Sequence, residues 1–253
     1  MSETVYTYLQ RVVKERGAGF LPILDPDRLA PPEAAEAAAK MENAGADALL
    51  IGTSLMLGDT FDETIQRIKE KTDIPLVIFP GSSSQISGFA DAMLLPSLIS
   101  GRNPEFLIGQ HVQAAWRLKE SGLETIPMGY MLVESGTTTS VEFMSGTKPI
   151  PRTKPEIAVA HALAGQLLGL KMLFLEAGSG ALNPVPDEMI TAVKENIDVP
   201  LVVGGGIREP QVAGQKVAAG ADLIVVGSAL ESGGGEEVMR QFAKAIHVVT
   251  RVD

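Results

Sequence analysis

The chain has 253 residues: 45% hydrophobic, 21% charged and 5% aromatic, with 26 Gly, 16 Pro and no Cys. The formal net charge is −10 and the pI is near 4.9, and no apolar run approaches the ~18 residues that a membrane-spanning helix needs. Disulfide scaffolds, Cys-ligated metals and thiolate catalysis are excluded, broad nucleic-acid binding is argued against, and Met1–Arg16 lacks the apolar core of a secretory signal, so a cytoplasmic globular protein is expected.

In chain order, short apolar runs alternate with amphipathic stretches. Phe20–Leu24, Ala48–Ile51, Leu76–Phe79, Met93–Leu95, Ile126–Val133, Met172–Leu175, Leu201–Val203 and Leu223–Val226 are brief, rich in branched residues and followed by turn residues. They predict eight buried strands. Helical patterns lie between them over Pro31–Met41, Phe61–Lys71, Pro104–Glu120, Pro155–Leu168, Asp187–Asn196, Gln211–Ala219 and Glu236–His247. This rhythm predicts one (β/α)₈ TIM barrel over residues 1–253, with no domain boundary. A doubly wound open sheet is the alternative, but the first strand ends Leu24-Asp25-Pro26-Asp27, without the glycine fingerprint of that fold.

A weak internal repeat adds detail. Asp73-Ile74-Pro75-Leu76-Val77 echoes Asp198-Val199-Pro200-Leu201-Val202, and Ala44-Gly45-Ala46-Asp47 echoes Ala219-Gly220-Ala221-Asp222. Pro75 stands 16 residues before Asp91, the next strand's Asp, whereas Pro200 stands 22 before Asp222. A normal connecting helix cannot spare that difference, so Gly81–Phe89 is expected to be a loop where the helix after strand 3 should be. The polar stretch Glu134–Lys154 is expected to be the loop after strand 5.

In such barrels the C-terminal ends of the strands form the working face. Three glycine motifs fall there: Glu176-Ala177-Gly178-Ser179-Gly180, Gly204-Gly205-Gly206-Ile207-Arg208 and Gly227-Ser228, after strands 6, 7 and 8. Glycines let backbone N–H groups converge on an anion, so together they predict a phosphate cradle. Arg208 either strengthens that site or lies on the surface at a helix start, and Gly233-Gly234-Gly235 is expected to be a flexible link. Asp25 and Asp27 suit a hard cation such as Mg²⁺, or else cap a turn; Ser54, at the end of the neighbouring strand, is expected beside Asp25. Glu176 closes an apolar strand, as a general base with a raised pKa or as a capping or salt-bridged residue. His111, His161 and His247 fall on predicted helices and are expected to be structural or exposed. The missing helix leaves a groove near Leu94, Leu95, Leu98 and Ile99, fit for a hydrocarbon or an oligomer contact. Trp116 is core or interface, and with the apolar helix Pro155–Leu168 it leads to the expectation of a homo-oligomer.

Together Leu24-Asp25-Pro26-Asp27, Ile51-Gly52-Thr53-Ser54, Ser97–Pro104, Phe174–Gly180, Gly204–Arg208 and Gly227-Ser228 resemble the geranylgeranylglyceryl phosphate synthase family of prenyltransferases, with the related heptaprenylglyceryl phosphate synthases. The resemblance spans Leu24 to Ser228, and the absent third helix is a family trait. It implies that the C3 hydroxyl of sn-glycerol 1-phosphate attacks an allylic prenyl diphosphate, giving an ether lipid precursor and diphosphate. By position, Asp25 and Ser54 would bind Mg²⁺, and Phe174, Leu175, Glu176, Ala177, Gly178, Ser179, Gly180, Gly205, Gly206, Gly227 and Ser228 would line the glycerol phosphate pocket. Glu176 would orient or deprotonate the hydroxyl. The chain departs from the family pattern at Phe174, where a Tyr is usual, and at Arg28, where a Lys is usual. The alternatives are a phosphate-binding barrel isomerase or lyase acting on a sugar or indole phosphate, and a phosphometabolite-binding barrel without catalysis.

Overall fold

Along each apolar run, successive side chains enter two different cores. Met172 and Phe174 point one way with Leu50, Val77, Leu94 and Val202, while Leu173 and Leu175 point the other way with Ile51, Ile78 and Val203. This period-two alternation is what a closed sheet requires: one face fills the barrel and the other meets the helices. The computed structural model describes residues 3–227 and 235–247. Its strands are β1 (Gly19–Leu24), β2 (Leu49–Ile51), β3 (Leu76–Ile78), β4 (Ala92–Ser97), β5 (Glu124–Leu132), β6 (Met172–Glu176), β7 (Leu201–Gly204) and β8 (Leu223–Val226). All pair in parallel with their sequence neighbours, and β1 also pairs with β8, closing the expected (β/α)₈ barrel.

The described helices are α1 (Val5–Arg16), α2 (Pro31–Asn43), α3 (Phe61–Lys69), α4 (Gln110–Ser121), α5 (Ser140–Ser145), α6 (Pro155–Leu167), α7 (Asp187–Lys194), α8 (Pro210–Ala218) and α9 (Glu236–Ile246). β3 passes to β4 through residues 79–91 with no helix, as the short spacing predicts. Ile86 and Ala90 of that loop join the core containing Ile78 and Met93 and do part of the absent helix's covering work. The helix expected from Pro104 begins with a π-helical turn, Glu105–Gly109, before α4. Gly233 and Gly234 lie outside the described residues, while Gly235 precedes α9.

Two helices lie outside the expected set. α5 interrupts the polar stretch after β5. α1 lies across the N-terminal ends of the strands, with Val5 and Leu9 in the barrel core. The Glu124 carboxylate accepts the Val5 and Tyr6 N–H groups at 2.5 and 3.0 Å, which seats the positive end of α1 on the first residue of β5.

The sequence repeat has a physical meaning at this same end. Asp47, Asp91 and Asp222 each precede an even-numbered strand and accept an N–H from the start of the strand before it: Phe20, Leu76 and Leu201, each at 2.7 Å. Each also pairs with a cation at the end of the helix that precedes that earlier strand: Arg16, Lys69 and Lys194, at 2.9, 2.7 and 2.6 Å. Asp222→Ala leaves the buried Leu201 N–H without its carboxylate acceptor. The expected cost is about 2 kcal/mol of unfolding free energy by urea denaturation, with the mouth geometry unchanged.

Candidate active site

A cavity of about 350 Å³ opens at the C-terminal ends of the strands. Its most buried carboxyl is Glu176, the last residue of β6 and only 6% exposed. The Glu176 Oε1 accepts the Gly178 N–H at 2.6 Å. Burial pushes the carboxyl up to about 7, against the smaller opposing effect of that N–H. Gly205 makes this packing possible: at φ 79°, a Cβ there would lie 2.3 Å from Glu176 Oε1 and 2.6 Å from the Gly178 nitrogen.

Not all of the β6 segment faces the cavity. Glu176, Gly178, Ser179, Gly180, Gly205, Gly206 and Gly227 line it, whereas Ser228 lies outside the described residues. Leu175 and Ala177 belong to the core shared with the helices, because a contiguous strand motif alternates faces. Phe174 is fully buried below the cavity, where its ring meets Phe79 and Tyr130 at centroid distances of 5.5 and 5.4 Å. Tyr130, on β5, was not among the expected site residues, yet it lines the cavity. Burial, and secondarily the Glu176 charge, raises its phenol well above the usual value, so it stays a neutral donor. An aromatic residue near the C-terminal end of a barrel strand was the available signal.

Opposite Glu176, Asp25 and Arg28 line the same cavity, with Asp25 Oδ2 3.4 Å from the Arg28 Nε. The hydroxyl that reaches Asp25 is that of Thr53, donating to Oδ2 at 3.3 Å; Ser54, expected in that place, lines the cavity without this contact. The turn reading falls on Asp25, whose Oδ1 accepts the Asp27 N–H at 3.0 Å; the Asp27 carboxylate instead accepts the N–H groups of Leu57 and Gly58 at 2.8 and 2.9 Å, tying the β1 loop to the β2 loop. Among the described residues no three His, Asp or Glu side chains converge as a metal cluster.

Arg208 is a strut. It donates to the carbonyls of Ala181 and Leu182 at 2.6 and 3.2 Å, while its own residue lines the cavity. Arg152 braces the same loop through the Pro184 carbonyl at 2.8 Å. None of the three His lines the cavity: His111 contacts the Pro96 carbonyl, His161 the Ile157 carbonyl and His247 the Asp47 carboxylate. Trp116 is not core, being 70% exposed. Gly205→Ala adds both positive-φ strain and the clash with Glu176, so a loss of about 2 kcal/mol is expected in urea denaturation, with displacement of the 176–180 segment visible in a crystal structure of the variant.

Residues 10–246 match the PcrB family. The chain is 46% identical over 233 residues to the geranylgeranylglyceryl phosphate synthase of Chitinophaga pinensis, covering 92% of both proteins. It is also 46% identical over 238 residues to that of Thermococcus kodakarensis, covering 94% of this chain and 93% of the relative. The crystal structure of (S)-3-O-geranylgeranylglyceryl phosphate synthase from Thermoplasma acidophilum, in complex with its substrate sn-glycerol-1-phosphate, aligns with a TM-score of 0.92 at 35% identity, over 97% of this chain and 99% of that one. The isomerase or lyase alternative meets only a likeness of fold, as with Mycobacterium tuberculosis tryptophan synthase at 16% identity and a TM-score of 0.62. Matched over most of its length in sequence and in fold, the chain belongs to the PcrB family, alongside the geranylgeranylglyceryl phosphate synthases.

Proposed function

We propose that this chain transfers a geranylgeranyl group from its diphosphate to the C3 oxygen of sn-glycerol 1-phosphate, in the synthesis of archaeal-type ether lipids. The observation that carries the reading is a buried Glu176 between a glycine-lined wall and the Asp25 side of one cavity. The glycerol phosphate lies with its phosphate against Gly178, Gly180, Gly205, Gly206 and Gly227, which keeps its C3 hydroxyl within reach of Glu176. The C3 oxygen forms the new bond to C1 of the prenyl group, the C1–oxygen bond to diphosphate breaks, and Glu176 takes the hydroxyl proton. A base titrating near 7 suits this step, since a substantial fraction is ionised at neutral pH and the carboxyl still holds the proton it receives.

The diphosphate belongs on the Asp25 side, where Arg28 supplies a guanidinium. One carboxylate beside hydroxyls fits Mg²⁺, which binds through few protein groups and fills its shell with substrate oxygens and water. Asp25 and Ser54 would hold the ion; when bound, it neutralises charge on the leaving diphosphate. Pro80, Gly81, Pro96 and Phe106 line both the main cavity and a smaller one of about 50 Å³ that continues past Leu95 toward His111 and Ala114. This apolar passage, in the gap left by the absent helix, supports a place for the hydrocarbon. The exposed stripe of Ile108, Val112 and Trp116 at helical spacing supports the proposed homo-oligomer. No described helix is long and apolar enough to cross a membrane, and a cytoplasmic location completes the proposal.

Incubation with labelled sn-glycerol 1-phosphate and geranylgeranyl diphosphate is expected to give labelled ether product, lost on adding EDTA; no product across a panel of prenyl lengths would overturn the reading. Glu176→Gln is expected to lower kcat by about 10²- to 10⁴-fold. The wild-type rate should rise with pH through an inflection near 7 that the variant lacks. The folded pKa lies above the ordinary value of 4.5, so the contribution of this one group to stability is fully present below 4.5 and is lost as pH rises through about 7. Thermal melts at pH 8 should accordingly show Glu176→Gln as the more stable protein.

A further inference from the structure

The loop that stands in for the missing helix carries one fully buried polar side chain, Gln85. Its amide grips the backbone of one residue, Thr53, at both its N–H and its C=O. The Oε1 accepts the Thr53 N–H at 3.2 Å and the Nε2 donates to the Thr53 carbonyl at 2.8 Å, while Oε1 also takes the Gly81 N–H at 3.4 Å. An amide that bonds both the N–H and the C=O of one residue imitates a strand partner and fixes that residue's position and rotation. The loops after β2 and β3 approach closely enough to allow it: a Cβ on Gly52 would lie 1.8 Å from the Phe79 oxygen, and one on Gly81 would lie 2.1 Å from the Thr53 oxygen.

The clamp is itself moored. The Ser83 N–H donates to Gln110 Oε1 at 2.7 Å, and Arg117 donates to the Ser83 and Ile86 carbonyls at 3.3 and 3.4 Å, so both flanks of Gln85 are tied to α4. On its other side the clamp ends at the cavity, because the Thr53 it holds donates its hydroxyl to Asp25 Oδ2 at 3.3 Å. A mere filler of buried space would need none of this directionality.

We propose that Gln85 is a positioning residue for the diphosphate side of the mouth, acting through Thr53 to fix the Asp25 carboxylate. The proposal rests on the prenyl-transfer reading for the identity of the ligand. Without the clamp, the Thr53 backbone is free to rotate and Asp25 loses its hydroxyl partner, whereas the glycine-lined wall around Glu176 is untouched. The consequence is selective: one substrate is affected and the other is not.

The test uses the full chain with three measurements: KM for each substrate, Kd for inorganic diphosphate in the presence of Mg²⁺ by calorimetry, and Tm. Gln85→Met keeps the length and removes both hydrogen-bonding ends; Thr53→Val keeps the shape and removes the hydroxyl. Each is expected to raise the prenyl diphosphate KM and the diphosphate Kd about tenfold. The KM for sn-glycerol 1-phosphate should stay within about twofold, and Thr53→Ser should behave as wild type. Because the two residues act in one chain of contacts, the double variant should lose no more than the worse single variant. If Gln85→Met does not fold, Gln85→Asn, which keeps a neutral amide but is one methylene too short to reach both groups of Thr53, should give the same selective loss. Equal rises in both KM values, or losses that multiply in the double variant, would overturn the proposal. A wild type that binds diphosphate but forms no ether product would overturn the functional reading alone, since the diphosphate Kd still reports on Gln85.

Discussion

The mouth of this barrel is organised around one contact, the Gly178 N–H donating to the Glu176 carboxylate in a setting that leaves the side chain 6% exposed. A single N–H lowers the cost of the buried charge without neutralising it, so the carboxyl remains close to balance between its two protonation states. The surrounding residues follow from that requirement. Gly205 must lack a Cβ, since one would lie against the carboxylate. The layer of Phe79, Tyr130 and Phe174 below is aromatic, which keeps the floor of the cavity low in polarity. Arg208 and Arg152 hold the Gly178–Pro184 region by its carbonyl oxygens, bringing rigidity to the loop through backbone contacts.

At the other end of the barrel the polar chemistry has a different purpose. Asp47, Asp91 and Asp222 are buried or half-buried carboxylates with a backbone N–H and a cation each, and Glu124 seats α1. Charges at the base are compensated and fix the start of the strands, whereas the carboxylate at the mouth is left poised. Acid residues of the same chain thus do structural work at one end and are available for chemistry at the other, and strand direction alone sorts them.

The barrel was legible because its evidence is periodic: eight apolar runs at regular spacing leave little choice of architecture. The absent helix was legible because a deletion shows as arithmetic between two copies of a repeat. The glycine motifs fall at the end of the barrel where the cavity opens, but a motif read along the chain says nothing of which residues turn inward, and Leu175 and Ala177 face the helices for that reason. Thr53 rather than Ser54 meets Asp25, and the Thr53 backbone is itself held by Gln85, 32 residues away. Such a contact depends on two loops touching, which leaves no periodic trace. Arg208 escaped in the same way, since its partners are carbonyl oxygens of another loop. α1 and α5 are short or terminal, and the pattern of either fits a loop as readily as a helix.

The gap between α3 and α4 has a consequence for how the protein holds together during a catalytic cycle. Elsewhere a helix covers each strand; here Ile86 and Ala90 cover only part of the outer face, and a narrow apolar passage runs beside Leu95 and Pro96. On the proposed reaction, a prenyl chain lying in that passage occupies the layer where a helix would otherwise stand. The substrate then serves as a removable piece of the protein's own outer shell, so filling and emptying the site amount to completing and dismantling the barrel wall.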